Sequence, residues 1–336
     1  MRLERILVAG AGPAGSAAAL TLAAAGLAPE LCERSSFPRH KVCGEFLSPE
    51  IQPLLEKLGV AEGFLALGPA RITYAELQFG RARRRFRLPE PAWGLSRFAL
   101  DDYLARSARL RGATWRRESV SSLAAPAVWA GGRRVRSPRG ARVFGFKAHF
   151  RGPAQDAVEL YFFPGGYCGL APIEGGATNV CGLASEEALR SAGFTPDRLL
   201  AARGPVGERI RPLERVSEWR LSGPLRFGHA IDAPRSLLVA GDAGCFVDPF
   251  TGSGLLAAMQ TGIWAGEALV RAAEGARWED CCAWHRRLCG AFHRRLLVAG
   301  VIVRRALELG VADVLSSLLP GPALFRWTRP KSGNRR

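Results

Sequence analysis

A chain of 336 residues, 48% of them hydrophobic, can bury a sizeable core, and its length suits two domains or one large domain with an inserted layer. Its 47 basic residues, nearly all arginine, outweigh 30 acidic ones for a formal charge of +17, which favours an anionic partner. Nucleic acid is not expected as that partner, because no helix-turn-helix, zinc-finger or RNP pattern accompanies the charge. The eight cysteines, scattered among apolar residues, read as reduced thiols rather than a disulfide framework.

The first elements are the most informative. The run Ile6-Leu7-Val8-Ala9 leads into Gly10-Ala11-Gly12-Pro13-Ala14-Gly15 and an alanine-rich stretch, a strand, turn and helix in that order. In a dinucleotide-binding βαβ unit Gly10 makes the tight turn and Gly12 admits a pyrophosphate. Pro13 and Ala14 open the helix, and Gly15 lets it pack closely on the strand. Glu33, eighteen residues after Gly15 and followed by Arg34, closes the second strand where a ribose hydroxyl would be held. A membrane span or signal peptide competes for the same residues, since no charge occurs from Ile6 to Pro29 and Arg2 and Arg5 precede it. Three glycines and a proline weaken a spanning helix. The expectation is a cytoplasmic protein, with peripheral membrane contact as the variant.

Farther along, Phe37-Pro38-Arg39-His40-Lys41-Val42-Cys43-Gly44-Glu45 reads as a basic loop, and residues 71–93 alternate in the manner of strands. Alternation would place Arg81, Arg83, Arg85 and Arg87 on one strand face, either a solubilising edge or a docking patch for an acidic carrier protein or an anionic membrane surface. Leu95-Ser96-Arg97 opens a helix to about Leu110, and residues 141–184 return to strands that include Tyr161-Phe162-Phe163-Pro164-Gly165-Gly166. Ser236 to Val239 is a second buried strand ending in Gly241-Asp242, and Asp248-Pro249-Phe250-Thr251-Gly252-Ser253-Gly254 leads into another helix. Beyond 275 the chain reads as helices on a basic background. Cys281, His285, Cys289 and His293 would spread over about 18 Å of one helix, too far for one tetrahedral ion, so no metal is expected. The tail Val311 to Pro320 with Phe325, Arg326 and Trp327 is read as a helix packed on the core, with a membrane interface as the alternative.

Nucleotide signals at both ends with strands between them imply a discontinuous arrangement. Residues 1–70, 94–140 and 226–275 are assigned to the nucleotide-binding domain, 71–93 and 141–225 to a substrate domain, and 276–336 to a C-terminal helical segment.

The glycine motif with Glu33, taken with Gly241-Asp242 and the loop to Gly254, resembles the FAD-dependent oxidoreductases of the para-hydroxybenzoate hydroxylase fold. That superfamily includes group A flavoprotein monooxygenases, flavin-dependent halogenases and geranylgeranyl reductases. The resemblance implies an α/β fold: a doubly wound Rossmann-like FAD-binding domain with an inserted, mainly antiparallel sheet and C-terminal helices. It also implies non-covalent FAD with NAD(P)H as electron donor. Asp242 would meet the ribityl or pyrophosphate region, the backbone of Gly252, Ser253 and Gly254 the isoalloxazine carbonyl, Arg97 the cofactor and Val120 the adenine. Cys43 is the candidate for flavin contact or proton delivery, and Tyr161 and Phe163 for the wall of an apolar substrate cavity. The sequence departs from the pattern at Gly131, where many members carry an acid, and it lacks the Trp-x-Trp-x-Ile-Pro signature of halogenases. The implied activity is a monooxygenase acting on an apolar or aromatic small molecule. A geranylgeranyl reductase-like double-bond reductase and a non-catalytic binding protein of the same fold are the alternatives.

Overall fold

The computed structural model describes residues 5–80, 82–133, 142–153, 155–225, 227–229, 234–308, 325 and 329. Ile6–Ala9 is the central strand of a five-stranded parallel sheet, its aliphatic run suited to a strand covered on both faces. Pro29–Cys32 and then Thr114–Arg116 lie to one side of it, Ala127–Trp129 and then Leu238–Val239 to the other. Helix Pro13–Ala24 is apolar all round because it is covered on more than one side: the sheet, helix Arg97–Leu110 and helix Gly254–Ala273 all contact it. The last of these comes very close. A Cβ on Gly262 would stand 2.1 Å from the Ala14 carbonyl oxygen, and one on Gly266 would stand 2.7 Å from Thr21 Cβ.

The second sheet has nine strands. Its order runs Glu214–Arg215, Val143–Arg151, Thr178–Ser185, Gly166–Pro172, Ala157–Phe163, Ala70–Phe79, Ala82–Gly94 and Phe46–Leu47, with Arg220–Ser222 also on Val143–Arg151. Among the described residues its one parallel pair is Ala70–Phe79 with Ala157–Phe163. Phe46–Leu47 falls within the 1–70 segment yet completes the edge of this sheet, so the loop before it carries the chain from one sheet to the other. Helices Glu186–Ser191, Pro196–Ala201 and Gly204–Ile210 cover one face, where Tyr161 joins Phe146, Leu199 and Val206 in a core. The other face carries Leu77, Phe79, Leu160 and Phe162 and looks onto the large cavity described below.

Of the expected arginine row, Arg83, Arg85 and Arg87 are exposed together on Ala82–Gly94, and Arg81 lies outside the described residues. The row is not a bare positive patch. Arg83 pairs with Glu76 at 2.7 Å and Arg85 with Asp156 at 2.7 Å, because the register sets Glu76 opposite Arg85. By alternation it also points away from Phe86, which faces the cavity.

Among the described residues of the basic C-terminal region, Trp278–Glu308 forms one 31-residue helix. Residues 311–320, Arg326 and Trp327 lie outside the described residues, while Phe325 is buried against Phe46 and Ala171. Among the described residues no helix is long and apolar enough to cross a membrane.

Candidate functional site

Between the two sheets lies a cavity of about 1060 Å³, at the upper end of the range for small-molecule and cofactor sites. Two helix starts open into it. Helix Pro13–Ala24 begins after Gly12 with no side-chain cap, and Gly254–Ala273 begins after Ser253, again with none. Their free N–H groups and positive dipole ends therefore face the same space, an arrangement that favours bound anions.

The glycines divide the work between packing and access. Gly10 adopts φ +100°, and a Cβ there would stand 2.3 Å from the Ala130 carbonyl oxygen. On Gly15 it would meet the Gly10 carbonyl oxygen at 1.7 Å. On Gly12, with φ −68°, the nearest atom would be Arg97 Nη2 at 3.9 Å. Gly10 and Gly15 are thus fixed by the protein's own backbone, whereas Gly12 leaves room that only a ligand would use.

The walls around the first helix start are ionic. Glu33 is buried and accepts from Ala11 N at 3.1 Å and Ser35 N at 3.0 Å, with Arg39 Nη2 at 3.2 Å from its second oxygen. Arg97 holds Asp101 through two bonds of 2.6 and 2.8 Å. Burial would lower its guanidinium, but Asp101 more than compensates and raises it. Burial pushes Asp242 up despite Arg133, Arg97 and Lys41 nearby. Lys41 is pushed down to about 8 by burial, with Arg97 and Arg39 adding to the effect.

A buried network closes the floor. Glu45, fully buried at φ +54°, accepts from Arg97 N at 2.6 Å, contacts His149 Nε2 at 2.7 Å and pairs with Lys147 Nζ. A non-glycine residue in the left-handed region is disfavoured by roughly 1–3 kcal/mol, so the network holds the backbone there. Glu45 N–H in turn donates to Cys43 Sγ at 3.4 Å, and Asn179 Nδ2 fixes the Cys43 carbonyl at 3.0 Å.

Most of the residues singled out from sequence gather here. Gly12, Pro13, Ala14, Glu33, Arg34, Cys43, Arg97, Gly241, Asp242, Gly252 and Gly254 line the cavity, and Gly10, Gly15 and Ser253 support it from behind. Three expectations are corrected. Tyr161 and Phe163 do not line the cavity: the strand turns Val158, Leu160 and Phe162 toward it, while the Tyr161 hydroxyl donates to Glu159 on the helix-covered side at 2.6 Å. Phe163 packs on that side beneath Arg203. Val120 follows the end of Thr114–Arg116 and packs against the cluster of Ala9, Trp129 and Ala243 instead of the cavity. Lys41, Arg133 and Arg329 are cavity residues that the sequence reading gave no cofactor role.

Comparison with known proteins agrees with this geometry. Residues 4–123 match the FAD binding domain family model. Menaquinone reductase of Mycolicibacterium smegmatis is 25% identical over 96% of this chain and 88% of its own length. The fold matches flavin-dependent brominase Bmp2 with a TM-score of 0.81 at 19% identity, over 96% of this chain and 92% of that one. It matches a geranylgeranyl bacteriochlorophyll reductase-like protein of Thermoplasma acidophilum with a TM-score of 0.76 at 18% identity, over 96% and 95%. The chain carries an FAD binding domain over residues 4–123 and has the fold of these flavin-dependent proteins. The open space at Gly12, the two uncapped helix starts and the cationic wall fit a dinucleotide whose pyrophosphate carries the negative charge.

Lys41 makes that fit dependent on pH. An anionic cofactor near its ammonium group would raise the depressed pKa, so binding above pH 8 takes up a proton. The FAD dissociation constant should be level below pH 8 and climb above it, by up to about tenfold per pH unit. Fluorescence titrations from pH 6.5 to 9.5 measure this, and Lys41→Met should bind weakly throughout without the bend. A profile that is level to pH 9.5 in the parent protein would remove Lys41 from the cofactor site.

Proposed function

We propose that this protein is an FAD-dependent reductase that adds hydrogen across a double bond of a long apolar substrate. The observation that carries the reading is the cavity wall opposite the glycine loop. Ala75, Leu77, Phe79, Leu160 and Phe162 make an apolar face across neighbouring strands, without a charged side chain among them. Such a face suits an extended hydrocarbon better than a small polar ring. The relative named menaquinone reductase and the geranylgeranyl bacteriochlorophyll reductase-like neighbour support the same direction.

FAD, when bound, supplies the hydride chemistry. The chain's part in this proposal is to hold the cofactor at its two helix starts, exclude water with the apolar wall and set Cys43 in the cavity lining as the candidate for proton delivery. NAD(P)H as the electron source belongs to this proposal, as does delivery of the substrate by an acidic carrier protein or an anionic membrane surface. Because the paired arginines face away from the cavity, such delivery would use another surface.

A monooxygenase acting on an apolar or aromatic small molecule is the second reading, favoured by structural likeness to a probable FAD-dependent monooxygenase at a TM-score of 0.76. One experiment separates the two. The holoprotein is reduced without oxygen, mixed with polyprenyl quinones in detergent, and the products are weighed by mass spectrometry, with a parallel run under labelled oxygen. The expected anaerobic product still carries two extra hydrogens after any quinol has been reoxidised to quinone, which places them in the side chain. Turnover only in air, with label incorporated, would establish the oxygenase, and no product under either condition would leave a binding protein.

A further inference from the structure

The second helix start carries a feature that the family match does not explain. Arg329 is only 6% exposed, yet it lines the cavity beside Gly252 and Gly254. Its Nη1 donates to Ser253 Oγ at 3.1 Å and to the Gly252 carbonyl oxygen at 3.4 Å, and its guanidinium lies 4.1 Å from the Phe325 ring centre. Its Nε is buried without a hydrogen-bond partner. Glu50 is the acid whose field reaches it, and among the described residues no carboxylate forms an ion pair with it. Burial outweighs Glu50 and lowers the guanidinium to about 10.

A buried cation without a counter-ion is unfavourable. Here it is joined by the positive end of a 20-residue helix whose first N–H groups have no side-chain cap. Both point into one space, which is therefore short of a negative charge. Oxidised isoalloxazine is neutral and cannot supply it, whereas the reduced ring carries a charge spread over N1 and C2=O.

We propose that Arg329 is the counter-charge for the anionic reduced flavin, set against its N1–C2=O edge, and that it raises the reduction potential of the bound cofactor. The proposal rests on FAD occupying the cavity and adds the residue that tunes it. The argument is differential: a guanidinium in a water-poor site gains far more from an anion than from a neutral ring, so it favours the reduced form. Only such a difference can move a potential.

The test uses the holoprotein with Arg329→Met and Arg329→Lys, each equilibrated anaerobically against a reference dye. Arg329→Met should hold reduced flavin at least tenfold less tightly relative to oxidised flavin, which corresponds to a potential lower by about 30 mV for a two-electron couple. Arg329→Lys should keep most of the parent value. A measurement on the parent protein alone guards against a variant that fails to fold: its reduced flavin should keep the anionic absorption spectrum at pH values where free reduced FAD has taken up a proton at N1. Equal potentials in the parent and Arg329→Met, or parent flavin that protonates as free FAD does, would overturn the proposal. A parent protein that never retains FAD would overturn the cofactor assignment as well, and is recognised by its lack of colour before any potential is measured.

Discussion

Gly12→Val should give a protein that folds and melts like the unliganded parent but purifies without FAD. The residue sits at φ −68°, which valine tolerates, and its Cβ position is bounded only by Arg97 Nη2 at 3.9 Å, so the change places new atoms in the ligand's space and not in the protein's. Gly15→Val should behave differently. Its Cβ would lie 1.7 Å from the Gly10 carbonyl oxygen, within the backbone of the loop itself, so loss of FAD should come with loss of the fold. Flavin absorbance per protein and the melting midpoint of the apo form, measured on both variants, distinguish the cases. A Gly12→Val protein that stays yellow would move the pyrophosphate away from this loop.

The second large effect concerns Glu45. Replacing it with glutamine leaves Lys147 and His149 buried beside a neutral group, and breaking a buried ion pair from one side typically destabilises by about 3–5 kcal/mol. Chemical denaturation should show that loss, and the double change Glu45→Gln with Lys147→Met should recover much of it by removing the orphaned cation. The pH dependence follows from the same contacts. Burial would raise the Glu45 carboxyl, but His149 and Lys147 win and hold it below its ordinary 4.5. Its contribution is therefore complete above that pH and is lost as pH falls through the lowered value. Acid unfolding should accordingly be steeper in the parent than in Glu45→Gln. Equal stability of parent and single variant at pH 7 would mean that the network carries no net energy.

The glycine loop was legible because its constraints are local. Turn, close approach and helix packing are each written into the spacing of Gly10, Gly12 and Gly15, and Gly241 and Gly252 at φ +65° and +62° announce turns in the same way. The face of strand Ala157–Phe163 was not legible. Both of its faces are covered, one by three short helices and one by the cavity, so aromatic and aliphatic residues fall on each and alternation cannot say which meets the ligand. The arginine row looked like free charge because Glu76 and Asp156 reach it only through strand register, which spacing along one segment does not reveal. Arg329 is separated by 76 residues from the serine it contacts, and no local pattern marks it.

The glycines at 262 and 266 have a consequence for what the site can recognise. They press helix Gly254–Ala273 so tightly onto helix Pro13–Ala24 that the two starts cannot shift apart independently. The gap between them then acts as a ruler. A ligand that reaches both must have a phosphate end and a ring end at that separation, so riboflavin, which has the ring but no phosphate, would satisfy one start and leave the other bare. Preference for a phosphorylated flavin would thus come from the rigidity of a packed helix pair, with no contact to the adenine base required.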